Sequence, residues 1–226
     1  SQTGRDTDFF AGTGAKTFTS DGKKTKFAYQ STIFAETPAF ADAEHSLTLA
    51  VEQEREEQFT NSGFSGPSNR HIVNRGYTGE YRLSLWDRVF LSGSLRFDDN
   101  DPLFEDETTY RGTAAYLHEE TGTRLHASLG RGVKNPTLFE LFGATPNFTG
   151  NPNLKAERSI GWDIGVEQPL LDERLLLDVT YFNNRIEDLI QGSGNTAANL
   201  SGTSKIQGIE VTLGADPLPG LHLDLA

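Results

Sequence analysis

The sequence contains no cysteine and no methionine. Without cysteine there are no disulfides, no thiolate chemistry and no cysteine-ligated metal, and the redox compartment stays open because a cysteine-free chain suits any of them. Without methionine, Ser1 is not a translational start, and the opening SQTGRDTDFF lacks the basic segment and apolar core of a signal peptide. The far end, GLHLDLA, stops inside an alternating run, so the expectation is an internal piece of a longer protein. Basic residues are also scarce: 20 Lys+Arg stand against 32 Asp+Glu, a net charge of −12, which excludes a nucleic-acid partner needing a basic face. No run approaches the roughly 18 apolar residues of a membrane helix. That excludes helical spans but not a membrane β-barrel, whose signal is alternation. Aromatic residues make up 10%, too many for a disordered chain.

What the sequence has instead is period-two alternation with a constant sense. Leu47, Leu49 and Val51 oppose Ser46, Thr48 and Glu52. Tyr77, Tyr81, Leu83 and Leu85 oppose Thr78, Glu80, Arg82 and Ser84, and Leu91, Leu95 and Phe97 oppose Ser92, Ser94 and Arg96. Further on, Leu125, Ala127 and Leu129, then Ile160, Trp162, Ile164 and Val166, then Leu175, Leu177, Val179 and Tyr181, then Ile209, Val211 and Leu213 repeat the pattern. Leu221, Leu223 and Leu225 begin another segment, and weaker alternation runs from Lys24 to Glu36 and from Thr108 to His118.

The links between these segments alternate in length. Short ones fall at Glu36 to Ala43, Trp86 to Arg88, Glu119 to Gly122, Pro169 to Glu173 and Ala215 to Gly220. Long polar ones fall at Gln58 to Asn74, Asp98 to Glu107, Gly132 to Glu157 and Ile186 to Ser204. The fold class expected is all-β: an antiparallel up-and-down membrane β-barrel segment of about ten strands, with short turns at one end and long loops at the other. A soluble sandwich or propeller also alternates and keeps one face clean of charge. The aromatics separate the two readings, because Tyr77, Phe97, Tyr110, Trp162 and Tyr181 gather on the apolar face near the long-loop end, where a membrane girdle belongs. Segments of about 9–11 residues also suit tilted membrane strands.

Signals for enzymatic chemistry are poor. His45, His71, His118, His126 and His222 have no ligand spacing. GTGAKT, from Gly12 to Thr17, lacks the glycine before lysine and the following helix of a phosphate loop, and Ser20 and Lys23 match Ser-x-x-Lys inside a turn-like SDGK. The acidic stretch DDNDPLFEDE offers Asp98, Asp99 and Asp101 as oxygen ligands for calcium, though without the spacing or glycine of an EF-hand; a solvated loop is the simpler account. No other cofactor is indicated.

The most specific stretches are RGVKNPTLFELFG (Arg131 to Gly143), GNPNLKAERS (Gly150 to Ser159), GWDIGVEQ (Gly161 to Gln168), LLLDVTYFNNRIEDLIQ (Leu175 to Gln191) and KIQGIEV (Lys205 to Val211). In order and spacing this succession resembles the barrel of TonB-dependent outer-membrane receptors, with cobalamin and siderophore receptors the nearest members. AEHSLTLAVEQEREEQF and RVFLSGSLRFDDN resemble barrel strands of the same family more loosely. Val133 and Asn135 depart from it, standing where an aromatic and alanine are frequent.

Taken as architecture, Pro136 and Pro152 end strand pairing, Asn135 and Asn151 favour turns, and Glu140 and Glu157 can accept hydrogen bonds at the loop base. Phe139, Phe142 and Phe148 are large apolar groups in a polar loop, and two readings are open: they meet a ligand, with Asn147 beside them, or they pack on each other.

The resemblance implies that residues 1–226 are part of a receptor barrel lacking its plug domain and closing strands, located in the bacterial outer membrane, with no catalytic residue. Its implied function is active import of a scarce metal complex, a ferric siderophore or cobalamin, energised by the TonB energy-coupling complex acting through the missing plug. The implied partners are that complex, a metal-chelate ligand and outer-membrane lipid. The alternatives are a passive porin or adhesin-type barrel, or a soluble secreted β-domain binding carbohydrate.

Overall fold

A computed structural model describes residues 2–10, 16–63, 66–100, 102–145, 147–172, 174–218 and 220–225. In chain order the elements are β1 (Gln2–Phe10), β2 (Lys16–Thr37), β3 (Ala43–Ser62), β4 (Gly66–Leu85), β5 (Val89–Asp99), β6 (Glu107–His118) and β7 (Thr123–Lys134). Then come α1 (Leu138–Phe142), β8 (Ala144–Thr145), β9 (Phe148–Thr149), β10 (Glu157–Leu170), β11 (Leu175–Glu187), β12 (Ile190–Ser193), β13 (Thr196–Asn199), β14 (Thr203–Leu218) and β15 (Leu221–Leu225). One 11-stranded sheet follows the order β1-β2-β3-β4-β5-β6-β7-β10-β11-β14-β15, each strand antiparallel to its neighbour; β8-β9 and β12-β13 are small hairpins inside the long loops.

The register carries the alternation across the sheet. Leu47 lies opposite Ile33 on one side and Tyr81 on the other, and Ile164 lies between Ala127 and Tyr181. One face is therefore apolar on strand after strand, and it is exposed: Leu95 is 63% accessible, Ile164 57% and Ile209 68%. An apolar face of this extent has no counterpart on a monomeric water-soluble domain and is what lipid contact requires. The opposite face carries the charges and hydroxyls. Tyr77 and Phe97 stack at 6.5 Å, and Trp162 and Tyr181 meet at 5.5 Å, both pairs on the apolar face.

At the short-turn end, Ala43 and Arg88 donate backbone N–H groups to the carbonyls of Phe40 and Leu85. Between them Ala41, Asp42, Trp86 and Asp87 all adopt φ between 46° and 60°. Paired left-handed residues give the turn twist that matches antiparallel strands. Neighbouring turns are stitched: Trp86 N–H donates to Ala41 O (2.9 Å), Leu117 N–H to Arg88 O (2.8 Å), and Arg88 grips Glu119 with two guanidinium nitrogens.

Several expectations are revised. The long link expected from Gln58 to Asn74 is mostly paired strand, since β3 runs to Ser62, β4 restarts at Gly66, and the two remain in register. β1 adds an eleventh strand where no alternation marked one. Strands β5, β6 and β7 have 11, 12 and 12 residues, close to expectation, but β2, β3 and β4 have 22, 20 and 20. At about 3.4 Å per residue the last three run far beyond a roughly 25 Å apolar band. Their upper portions pair charges across strands instead, Lys24 with Glu54 at 2.6 Å and Lys26 with Glu52 at 2.7 Å.

Candidate ligand site in the long loops

The only apolar core cluster among the described residues lies outside the sheet. Leu141, Leu154 and Ala197 are buried together, with Phe104, Phe142, Phe148 and Ile190 packed against them. They come from the loops after β5, β7 and β11, so these connections form one cap.

Local sequence explains how the cap is built. Thr137 starts α1: its Oγ1 accepts from Glu140 N–H (3.1 Å), and the Glu140 carboxylate accepts from Thr137 N–H (2.8 Å), a reciprocal capping box. The chain then turns back so closely that a Cβ on Gly150 would overlap the backbone of Leu141 and Phe142, so glycine is required there. Asparagines join this loop to its neighbour. Asn151 Nδ2 donates to Ala197 O (3.0 Å), Lys155 N–H donates to Asn199 Oδ1 (2.9 Å), and Asn199 Nδ2 donates to Lys155 O (3.0 Å) and Asp188 O (2.7 Å). Glu157 accepts from Ile190 N–H at 3.0 Å. The Asn-Pro and Glu positions of the motif thus shape the loop base, with Leu154 buried beneath them.

The rings singled out from sequence come together. Phe139 and Phe148 stack at 4.9 Å with planes 12° apart, and the Arg70 guanidinium lies 4.6 Å from the centre of the Phe142 ring. Phe142 and Phe148 are committed to the cap core. Phe139 is half-buried and Asn147 exposed, so these two present the accessible part of the group.

Beside the middles of β3 and β4 and the long-loop ends of β5 to β7, a recess of about 250 Å³ opens on the polar face. It is lined by Glu52, Glu54, Arg96, Asp98, Asn100 and Asn135, among others. Arg96 Nε donates to both Asp98 oxygens (2.9 and 3.0 Å), and its Nη2 bonds Glu52 on a strand two away. It passes over Gly76, where a Cβ would overlap the guanidinium. Asn135 Nδ2 donates weakly to Asn100 Oδ1 (3.4 Å), while Asn135 Oδ1 is shut from solvent with no hydrogen-bond partner.

Of the calcium candidates, Asp98 is held by Arg96 and Asp99 accepts from Arg75 at 3.2 Å; Asp101 lies outside the described residues. Among the described residues no three Asp, Glu or His side chains form a metal-binding group. Sequence reasoning missed Arg70, because its strand was read as loop, and Phe104, whose neighbours are acidic. It also missed the Glu52–Arg96 bridge, for which the single signal was arginine two residues before aspartate on one face.

Comparison with known proteins places this geometry. The family model "TonB dependent receptor-like, beta-barrel" matches residues 1–226. The vitamin B12 transporter BtuB of Photobacterium profundum is 35% identical over 147 residues, 61% of this chain and 22% of that protein; BtuB of Vibrio vulnificus is 26% identical over 174 residues, 74% of this chain and 27% of that one. The chain therefore spans about a quarter of these relatives. Among solved structures, the siderophore receptor PirA from Pseudomonas aeruginosa superposes with a TM-score of 0.73 at 19% identity, covering 99% of this chain and 48% of that one. The ferric enterobactin receptor PfeA reaches 0.77 at 18%, covering 99% and 39%; at such identities the likeness is one of fold. Members of the family are receptors and transporters rather than enzymes, and their barrels reside in the bacterial outer membrane. With its strand order, its outward apolar face and a match from its first residue to its last, the chain belongs to the TonB-dependent receptor β-barrel family.

Proposed function

We propose that the intact protein is an active-transport receptor that captures a scarce metal complex, a ferric siderophore or cobalamin, at its long-loop mouth and passes it inward with energy supplied through TonB. The plug and its coupling segment lie elsewhere in the receptor in this reading, and the outward face of the sheet meets outer-membrane lipid. The observation that carries the proposal is the pairing of an aromatic cap with a charged and amide-lined recess, both at the long-loop end of the strands. A chelate or corrin has broad apolar edges and a few polar groups, and aromatic anchors beside well-placed polar atoms are its expected complement. Phe139 supplies a ring and Asn147 an exposed amide. The BtuB likeness makes the corrinoid the first ligand to test.

The test is equilibrium binding of cyanocobalamin and of ferric catechol siderophores to the full-length receptor. Phe139→Ala with Asn147→Ala should weaken binding of the recognised ligand by about 1–3 kcal/mol, with normal barrel assembly. Unchanged affinity would assign the rings to loop packing alone. Collapsing the inner-membrane proton gradient should stop uptake while leaving surface binding intact; uptake that continues would point to passive diffusion.

A further inference from the structure

The outward face changes character from the Trp162 row upward, where Leu129 and Trp162 stand beside Asn183 and Gln207. In the next row along the strands stand Tyr110, Arg131, Ile160, Arg185 and Lys205, each opposite the next across the sheet. Arg158 stands one row higher, opposite Glu187. Arg131 and Arg158 are neutralised by Glu107, Arg131 Nη2 to Oε2 and Arg158 Nε to Oε1 both at 2.8 Å, and Arg158 also reaches Glu105 at 2.7 Å. Arg185 and Lys205 differ. They are directly paired across β11 and β14, both exposed, and among the described residues no carboxylate lies within ion-pair distance of either. Like charges directly opposite in a ladder are destabilising on their own, so the pair calls for an anion from outside the chain. Beside them the outward face dips into a recess of about 430 Å³, with Trp162 and Ile160 as an apolar floor and Arg131, Arg158 and Arg185 at its edge; Glu187 is its one acidic lining residue.

We propose that this recess binds a phosphorylated lipid of the surrounding leaflet, its phosphate on Arg185 at the recess edge and on Lys205 beside it, and its acyl chain running down over Ile160, Trp162 and Ile164. Charge complementarity selects the anion, and position selects its source. The cations sit one row above an aromatic girdle on the lipid-facing side, at the depth of headgroups, and the floor continues into the apolar band. A soluble phosphate would have no use for that floor. The cost of two adjacent cations is thereby offset by the membrane rather than by the protein. The proposal rests on the outward face meeting lipid, and its test separates the two.

The probe is lipid A, a bis-phosphorylated glycolipid, titrated against the detergent-solubilised full-length receptor and counted by native mass spectrometry. Arg185→Gln with Lys205→Gln should weaken lipid A binding about tenfold to thirtyfold. It should leave binding of the dephosphorylated lipid unchanged and leave the heat-modifiable gel mobility of the folded barrel unchanged. Equal lipid A binding by variant and wild type would overturn the proposal. So would displacement of lipid A by equimolar inorganic phosphate, which would make this a soluble-anion site. In parallel, lipids brominated on the acyl chain should quench the fluorescence lost in Trp162→Phe. Quenching with unchanged lipid A binding would sink the phosphate site alone, whereas no quenching would sink the lipid-facing assignment and the site with it.

Discussion

Glycine 76 shows how one missing side chain organises a distance of two strands. Arg96 on β5 reaches Glu52 on β3 only by lying across β4, and it crosses at the position where no Cβ stands in its way. The same device recurs farther along the same polar face. His126 on β7 reaches Asp178 on β11 at 2.9 Å over Gly165, where a Cβ would meet both His126 and Thr180. Placing a methyl at Gly76 forces Arg96 off Glu52 and leaves a half-buried carboxylate with Lys26 as its remaining ion-pair partner at 2.7 Å. Gly76→Ala should therefore cost about 1.5–3 kcal/mol in denaturant titrations of the full-length barrel in lipid vesicles, the range for a hydrogen bond to a charged group. In an Arg96→Ala background the same substitution should cost little, and a double-mutant cycle without coupling between the two sites would refute the bridging role. Neither glycine stood out in sequence. A strand glycine signals close approach of something, but only the register shows that the visitor comes from one strand away and is bound for the next.

At the scale of elements, the legible and illegible parts divide at the membrane boundary. Strands β5, β7, β10 and β11 were readable because lipid demands an apolar residue at every second position and the lumen tolerates polar ones. Above the band that constraint lapses, and Gln58, Phe59, Thr60 and Asn61 read as loop while remaining paired with Gly22, Asp21, Ser20 and Thr19. The tall hairpin carries its own pH dependence. Burial is the main influence that raises the Glu56 carboxyl above its ordinary value of 4.5, with repulsion from Glu54 adding to it and Lys24 opposing. An acid whose folded value is raised binds its proton more tightly when folded, so its stabilising share is full below the unfolded value and is lost as pH climbs through the folded one. Amide hydrogen exchange of the β3–β4 hairpin in the intact receptor should therefore accelerate as pH rises through that window, after correction for intrinsic rates. Glu56→Gln should flatten the dependence, and a variant retaining the wild-type slope would exclude Glu56 as its source. The cap was half legible: its motif announced a fixed loop base at Asn151 and Glu157, yet the asparagine staples to Ala197 and Lys155 depend on a second loop whose return path no local pattern records.

Across the whole molecule, the ordinary distribution of apolar residues is inverted, with large side chains outside and charges within, and the two faces should tolerate charge in opposite ways. Val211 lies on the outward face between Ile209 and Leu213 and is 51% exposed, while Thr212 faces the opposite way. In the full-length receptor folded into vesicles, Val211→Arg should cost about 2–4 kcal/mol and Thr212→Arg far less. Equal penalties in denaturant titrations would reverse the assignment of lipid and lumen faces. The described sheet ends on β1 at one side and β15 at the other. The cap has a consequence for engineering. Because the β7–β10 and β11–β14 loops share one small core and exchange backbone and amide hydrogen bonds, they are a single graft unit. A chimaera that transplants one loop from a relative would strand the Asn199 amide and open the space filled by Ala197. A swap of recognition between two such receptors has to move both loops together, so the two would be inherited, exchanged and diversified as a pair.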